Sequence, residues 1–185
     1  MPSKTTIYQL KVTIRDIRPP IWRRIHVESS TTLSKLHLII QAAMGWYNCH
    51  LHSFSVDGIE YGKPEPNYGL ELRDENKAKL VNLIKQEKAK FFYTYDFGDS
   101  WSHLILVEKI LPKEPKVSYP KCIKAKRACP PENCGGAWGY MEFLEAIQNP
   151  THAEHESYLE WVGGSFDSEL CDLEEVNQRL TEFET

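Results

Sequence analysis

The stretch "KFFYTYDFGDSWSHLILVEKIL", residues 90–111, decides how this chain folds. Two runs rich in aromatic and branched residues flank a short polar segment, a composition typical of two antiparallel strands joined by a turn. A turn over Phe97 to Ser100 would place Asp96 and His103 on one face as diagonal neighbours, roughly 7 Å apart at the backbone. The stretch therefore predicts a hairpin whose tip carries ionisable side chains.

Strand and helix signals also precede this hairpin. The segments "IYQLKVTI" at 7–14 and "IWRRIHV" at 21–27 alternate apolar and polar residues, as half-buried strands do. A helix is predicted to begin after Thr31 or Thr32, either of which can cap it, and to end near Gly45. The chain thus opens with two strands and a helix.

A second hairpin follows that helix, because "LHSFSVDGIEYG" contains Asp57-Gly58, a dipeptide that favours a two-residue turn. The resulting order of strand, strand, helix, strand and strand resembles a β-grasp. In the last quarter of the chain, apolar residues recur at helical spacing. We therefore predict an α+β fold with a mostly antiparallel sheet of hairpins, a β-grasp-like ββαββ start and a helical C-terminal part.

We expect one domain over residues 7–183, since 185 residues can bury a core without metals or disulfides. The predicted parts are a sheet-rich part at 7–111, a loop rich in cysteine and proline at 112–136, and helices at 137–183. A loop of that length is either disordered or held by something.

The composition narrows the class of protein. The formal net charge is −4, which argues against a broad nucleic-acid-binding surface. No apolar run reaches the roughly 20 residues that a membrane span needs, so we expect no membrane partner and a cytoplasmic location. In that compartment the five cysteines are expected to be mostly reduced, and a cluster among them suggests metal binding or catalysis.

The hairpin tip is the first candidate site. It carries Asp96, Asp99 and His103, and an aspartate beside a histidine fixes the imidazole tautomer for catalysis or metal binding. The alternative interpretation is a well-made turn in which Asp99 accepts backbone hydrogen bonds and His103 lies at a sheet edge.

The second candidate is the loop segment "CIKAKRACPPENCGG". Cys122, Cys129 and Cys134 could hold a zinc ion, which would keep a proline-rich loop ordered. The fourth ligand would come from His103, His50 or His52. The alternative is three small, partly buried thiols.

Three further patterns are weaker. In "HLH" the imidazoles of His50 and His52 would share one face of a strand, as two metal ligands require. Gly135-Gly136 precede a helix, whose free N–H groups could bind a phosphate. Arg23 and Arg24 are interpreted as an edge that is solvated or touches an anion. Cys49 and Cys171 are assigned no role.

The chain resembles a known family through ordered motifs that span most of its length: "PPIWRR", "TLSKLHLIIQAAMGW", "HLHSF", "YDFGDSWSH", "YPKC", "ACPPENCGG", "GYMEFLEAI" and "WVGGSFD". These motifs are similar to those of the plasmid pRiA4b ORF-3-like family. The resemblance implies a compact α+β domain found on plasmids and beside transposases, so mobile-element proteins or nucleic acid are the expected partners. The family often has an aspartate where this chain has Asn133. We find no recombinase constellation that would support a resolvase function.

Two functions are predicted from these observations. One is an accessory or binding domain with a structural zinc ion. The other is a metal-assisted hydrolase of phosphodiesters or esters, in which Asp96, Asp99 and His103 line the cleft. Both rest on the hypothesis that the hairpin tip, the "HLH" segment and the cysteine loop converge. A weaker third idea is an interaction module that uses exposed strand edges.

Overall fold

The computed structural model describes residues 5–63 and 72–184 of the chain. The strands are Thr6–Ile14 (β1), Trp22–Glu28 (β2), His52–Val56 (β3), Ile59–Gly62 (β4), Arg73–Asp74 (β5), Lys90–Tyr95 (β6), Trp101–Pro112 (β7) and Lys121–Lys126 (β8). The helices are Leu33–Met44 (α1), Leu80–Leu83 (α2), Gly136–Gln148 (α3), His155–Trp161 (α4) and Leu173–Leu180 (α5), and a 3-10 turn follows at Thr181–Phe183.

The eight strands form a single sheet in the order β5-β4-β3-β6-β7-β1-β2-β8. Every neighbouring pair is antiparallel except β4 and β5, which run parallel. The predicted α+β class, the mostly antiparallel sheet and the helical C-terminal part are confirmed. The β6–β7 hairpin lies between the two hairpins of the ββαββ start, so the stretch that decides the fold also joins its halves.

The predicted register of the central hairpin is wrong by one residue. Tyr93 pairs with His103 and Tyr95 with Trp101, so five residues rather than four form the connection. The extra residue is Asp96, whose φ of 54° places it in the left-handed region. Its Oδ1 accepts hydrogen bonds from the N–H groups at the turn, which stabilises this conformation. As a result His103 points into the core instead of sharing a face with Asp96.

The predicted loop at 112–136 contains strand β8, so a continuous loop is the wrong description of its middle. The segment "KCIKAK" pairs with β2 at the edge of the sheet. Cys122 is buried there, and Asn177 of α5 bonds its backbone twice, since its Oδ1 accepts from Cys122 N at 2.9 Å and its Nδ2 donates to Cys122 O at 2.9 Å. The edge strand is thus held from both sides.

The core lies between one face of the sheet and the helices. Helix α1 begins after Thr32, whose Oγ1 accepts from Lys35 N at 3.2 Å, and ends at Gly45 with a φ of 90°. Its apolar side and that of α5 cover the alternating inward residues of the strands. Among the described helices, none combines the length and the apolar character that crossing a membrane would require.

Candidate functional site

The structure brings together the three segments in which Asp, His and Cys are densest. His50 Nε2 lies 2.8 Å from Asn133 Oδ1 in the cysteine loop and 3.4 Å from Asp96 Oδ2 at the hairpin tip. Asp99 Oδ2 accepts a hydrogen bond of 3.1 Å from Gly135 N, also in the loop. The convergence required by the site hypothesis is therefore present at the ends of β3, β6 and the loop before α3.

The cysteine loop is held by the segment that follows α1. Trp46 Nε1 donates to Pro130 O at 3.0 Å, and Tyr47 N donates to Glu132 Oε1 at 2.8 Å. The Trp46 ring stacks on Tyr95 of β6 with a centroid distance of 5.0 Å. These contacts fix Glu132 beside the sheet although the loop around it has no regular structure.

Cys49, His50 and Glu132 each offer one metal-ligand atom, and these atoms all lie within 4.8 Å of one another. Within residues 5–63 and 72–184, no other group of three or more His, Cys, Asp or Glu side chains meets that distance. Tyr95 organises the group, because its hydroxyl accepts from Cys49 N at 3.1 Å and donates to Glu132 Oε1 at 3.0 Å. Burial, followed by its contacts with Cys49 and Glu132, raises the pKa of Tyr95.

The electrostatics of this group favour a cation. The side chains of Asp96 and Glu132 are only 11% and 9% exposed. His50 is the one basic side chain that pairs with either carboxylate among the described residues, at 3.4 Å and 4.0 Å. Both carboxylates also accept hydrogen bonds, Asp96 from two N–H groups of the turn and Glu132 from Tyr47 N, which offset part of the cost of burying them. One imidazole between two carboxylates leaves the group with an excess of negative charge.

The three predicted zinc cysteines do not form such a group. None of Cys122, Cys129 and Cys134 belongs to a cluster of three ligand atoms within 4.8 Å in the part of the chain described. Burial raises the pKa of Cys122 to about 11 and that of Cys134 to about 12, and it raises the pKa of Cys129 as well. In the absence of a bound ion the three side chains are therefore protonated thiols, whereas the thiolate is the form that binds metals.

The two "HLH" histidines diverge. His52 Nε2 lies 2.8 Å from Glu75 Oε2, and its ring stacks on His37 of α1 at a centroid distance of 3.4 Å. His37 bonds Tyr93 Oη and Asn48 Oδ1 at 2.8 Å and 2.7 Å. Burial, and secondarily the neighbouring His52, lowers the pKa of His37 to about 3, so this ring is neutral. His52 therefore belongs to an interior network and not to the Cys49 group.

Asp99 and His103 have structural partners. His103 is fully buried, with Nδ1 at 3.3 Å from Tyr93 O, and burial lowers its pKa to about 4. Its Nε2 has no hydrogen-bond partner among the described residues. The Asp99 carboxylate bonds Gly135 N just before α3, which is where an external anion was predicted. An internal carboxylate thus takes the predicted phosphate position.

Cys49, Glu132 and Tyr95 were missed in the sequence. The signal for Cys49 was its position directly before His50, at the start of the segment already recognised as a pair of ligands. Asn48 has a φ of 55°, and the turn at this residue directs Cys49 toward Tyr95. No local pattern in the sequence marks that turn.

Comparisons with known proteins place the chain among its relatives. The model of the family described as "Plasmid pRiA4b ORF-3-like protein" matches residues 6–175. The uncharacterized protein y4hQ of Sinorhizobium fredii (strain NBRC 101917 / NGR234) is 38% identical over 177 residues, 95% of this chain and 91% of that protein. The crystal structure of MM3350, a protein of unknown function from Methanosarcina mazei Go1, matches with a TM-score of 0.84 and 39% identity. That match covers 94% of this chain and 98% of the other.

Proposed function

The chain belongs to the plasmid pRiA4b ORF-3-like family, and from that premise we propose that it is a metal-binding accessory domain. In this proposal Cys49, His50 and Glu132 hold a divalent ion of the zinc type. The observation that carries it is the convergence of a sulfur, a nitrogen and a carboxylate ligand within 4.8 Å. The plasmid in the family's description supports a role on mobile elements.

The donor set fits zinc better than calcium or magnesium. Calcium and magnesium prefer oxygen ligands, whereas a thiolate, an imidazole and a carboxylate together are typical ligands of zinc. Zinc–ligand bonds of about 2.0–2.3 Å require the three atoms to approach one another slightly more closely than they do here. A divalent ion would balance the charges of the Cys49 thiolate and the Glu132 carboxylate.

Three protein ligands leave one tetrahedral position open, which distinguishes this group from a closed structural site. Cys49 and Glu132 both line a cleft of about 660 Å³, so an ion between them would face that cleft. This observation favours metal-assisted hydrolysis of a phosphodiester or ester as the second candidate function. When bound, the ion would supply an activated water, and Asp96 would keep His50 oriented through its 3.4 Å contact.

The cytoplasm is the proposed location. All five cysteines of the chain are free thiols, although the chain has enough of them to form two disulfides. Reduced cysteines are typical of a reducing compartment. The measurement that checks this is fractionation of the producing cells, with recovery of the protein from a secreted or periplasmic fraction as the contrary result.

Metal analysis of the untagged protein tests the site. After equilibration with zinc and gel filtration, we expect one zinc ion per chain. The Cys49→Ala and Glu132→Gln variants should each lose at least about 100-fold in zinc affinity, because each removes a direct ligand.

Cys134→Ala is the matched control, since it removes a thiol of the predicted loop site outside the Cys49 group. It should bind zinc as the wild type does. Absence of stoichiometric zinc in the wild type would refute the proposal. Loss of zinc in Cys134→Ala with retention in Cys49→Ala would move the site to the loop cysteines.

The hydrolase candidate needs its own test. Zinc-loaded protein is incubated with bis(4-nitrophenyl) phosphate and with 4-nitrophenyl acetate, and release of nitrophenol is followed. Activity that disappears in Glu132→Gln, while the fold persists by circular dichroism, would support hydrolysis. Zinc binding without turnover of either ester would leave the accessory domain as the function.

A further inference from the structure

Arg23 is the most deeply buried charged side chain of the molecule's described part. Only 2% of its surface is exposed, between Ile21 and Ile25 on the inner face of β2. Of the two predicted alternatives, an edge that is solvated or one that touches an anion, the solvated edge is therefore wrong for this residue. Arg24, on the opposite face, forms an ordinary ion pair in which its Nη2 lies 2.7 Å from Glu108 Oε1.

All the hydrogen-bond partners of Arg23 are neutral. Nε donates to Ala43 O at 2.9 Å, and Nη1 donates to Trp22 O at 3.0 Å and to Lys126 O at 3.1 Å. The third nitrogen, Nη2, has no hydrogen-bond partner, and the guanidinium forms no ion pair with a carboxylate, in residues 5–63 and 72–184. A buried charge without a counter-charge is unusual in folded proteins.

Arg23 also lines the cleft of about 660 Å³ that Cys49 and Glu132 border. The other charged side chains of the cleft are already engaged. Arg179 pairs with Glu175 at 2.6 Å, Asp172 caps α5, and Glu132 accepts from Tyr47 N. Within the described chain, Arg23 is thus the one charge of this cleft whose partners are only carbonyl groups.

The walls of the cleft add an apolar component. Tyr47 and Trp161 both line it, and they are 84% and 45% exposed. Exposed aromatic rings and a buried cation that line one cleft are suited to a ligand that has an aromatic ring at one end and an anion at the other.

We propose that Arg23 forms the floor of an oxyanion subsite, which binds a small aromatic molecule that carries a phosphate or a carboxylate. The free Nη2 and the charge of the guanidinium contact the oxyanion, and Tyr47 and Trp161 contact the ring. Phosphate and carboxylate both offer anionic oxygen atoms that can accept from the two N–H groups of Nη2, the nitrogen that the carbonyls leave free. This inference does not require the zinc ion.

Titration calorimetry on metal-free protein in chelator, at pH 7 and without chloride, tests the subsite. The probes are phenyl phosphate, phenylacetate and inorganic phosphate. We expect wild-type protein to bind phenyl phosphate or phenylacetate, and the tighter of the two identifies the anion. Arg23→Lys should weaken that binding at least tenfold, because a single ammonium cannot keep the carbonyl bonds and also supply the donors of Nη2, whereas Arg24→Lys should leave it unchanged.

Tyr47→Ala keeps the test decisive if Arg23→Lys fails to fold, since Tyr47 is largely exposed. It should weaken binding of phenyl phosphate and leave that of inorganic phosphate unchanged. No binding by wild-type protein at about 10 mM probe, or equal losses in Arg23→Lys and Arg24→Lys, would overturn the subsite. Binding that appears only after zinc is added and ignores Arg23→Lys would place the anion on the metal, which refutes the subsite and supports the metal proposal.

Discussion

Two imidazole–carboxylate groups lie two residues apart in the sequence and border one cleft of about 430 Å³, but they have different partners. His52 bonds Glu75 inside the domain, where His37, Asn48 and Tyr93 complete a network of short hydrogen bonds. His50 lies at the rim, where Asp96 and Glu132 share it. The interior network has partners for its polar atoms, whereas the rim group has more negative charge than the protein balances. Residue type alone does not distinguish a structural histidine from a candidate ligand. The distinguishing feature is the excess negative charge of the carboxylates around His50.

Acid should affect the interior most strongly. Burial lowers the pKa of His37 to about 3 and that of His103 to about 4. In the unfolded chain both rings titrate near 6.5, so below that pH the unfolded state binds protons that the folded state does not. The contribution of these two rings to the free energy of unfolding is therefore fully present above about pH 6.5. It falls as the pH falls, by about 3 kcal/mol for each ring at pH 4.

Urea unfolding at pH 7, 6, 5 and 4, followed by tryptophan fluorescence, measures this slope. His37→Gln should be less stable at pH 7 but should lose less on acidification. His152→Ala, which removes a histidine outside the network, should keep the wild-type slope. Equal slopes in wild type and His37→Gln would contradict the assignment of a neutral, buried ring.

The contact between the hairpin tip and the cysteine loop should be nearly as important for stability, and Gly136 lies at this contact. A Cβ on Gly136 would lie 2.4 Å from Asp99 O, and its φ is 68°. Gly163 has a φ of 80° with nothing described within 4 Å of its Cβ position. Both substitutions by alanine carry a conformational cost of about 1–2 kcal/mol. The clash adds about 1–3 kcal/mol for Gly136→Ala alone.

Chemical denaturation of Gly136→Ala and Gly163→Ala gives the difference directly. Gly136→Ala should also lose zinc affinity, since it separates the hairpin tip from the cysteine loop. Similar losses of stability in the two variants would show that the contact between Gly136 and Asp99 adds nothing.

Removing one hydroxyl oxygen from each tyrosine of β6 compares the two regions, since Tyr93 belongs to the interior network and Tyr95 to the rim group. Tyr93→Phe leaves His37 Nδ1 and Gln41 Nε2 without their shared hydroxyl, a buried loss of about 2 kcal/mol. Tyr95→Phe should cost less, about 1 kcal/mol, because Glu132 keeps its bond from Tyr47 N. Thermal and urea unfolding of both variants check the order, and a larger loss for Tyr95→Phe would reverse the comparison.

The smallest change in stability is expected for Asn133→Asp. It replaces the amide oxygen beside His50 with a carboxylate. Without metal the added repulsion should cost less than about 1 kcal/mol. Zinc affinity should rise about tenfold, because a carboxylate that bonds His50 makes the imidazole a stronger ligand for the proposed ion. Competition with a chromophoric chelator measures this, and Asn149→Asp, outside the site, is the control.

Much of the fold is local and could be predicted. Alternation over 7–14 and 21–27 produces strands because side chains on a strand point alternately to its two faces. Strand β8 was missed because proline-rich flanks surround a short alternation. The register at the hairpin tip was missed because it depends on Asp96 adopting a left-handed conformation. Neither feature has a strong local signal.

For the candidate site, the sequence predicted only that the hairpin tip, the "HLH" segment and the cysteine loop lie close together. His50 was recognised, since ligands cluster where strands begin and end. Glu132 was not, because its position depends on contacts from Trp46 and Tyr47, far away in the chain. Arg23 was assigned to an edge that is solvated or touches an anion, and its burial was missed because its neutral partners come from the end of α1 and from β8. Such long-range packing is invisible to periodicity.

The edge strand β8 has a consequence for how this protein meets others. Its side chains carry Lys121, Lys124 and Lys126, all exposed, and Asn177 occupies its backbone at Cys122. An edge strand with lysine side chains and an occupied backbone is less able to pair with a strand of another chain, which protects against fibril formation. We therefore do not expect a peptide to add to the sheet as a strand beside β8. Ligand binding in a cleft suits this fold better than strand addition at this edge.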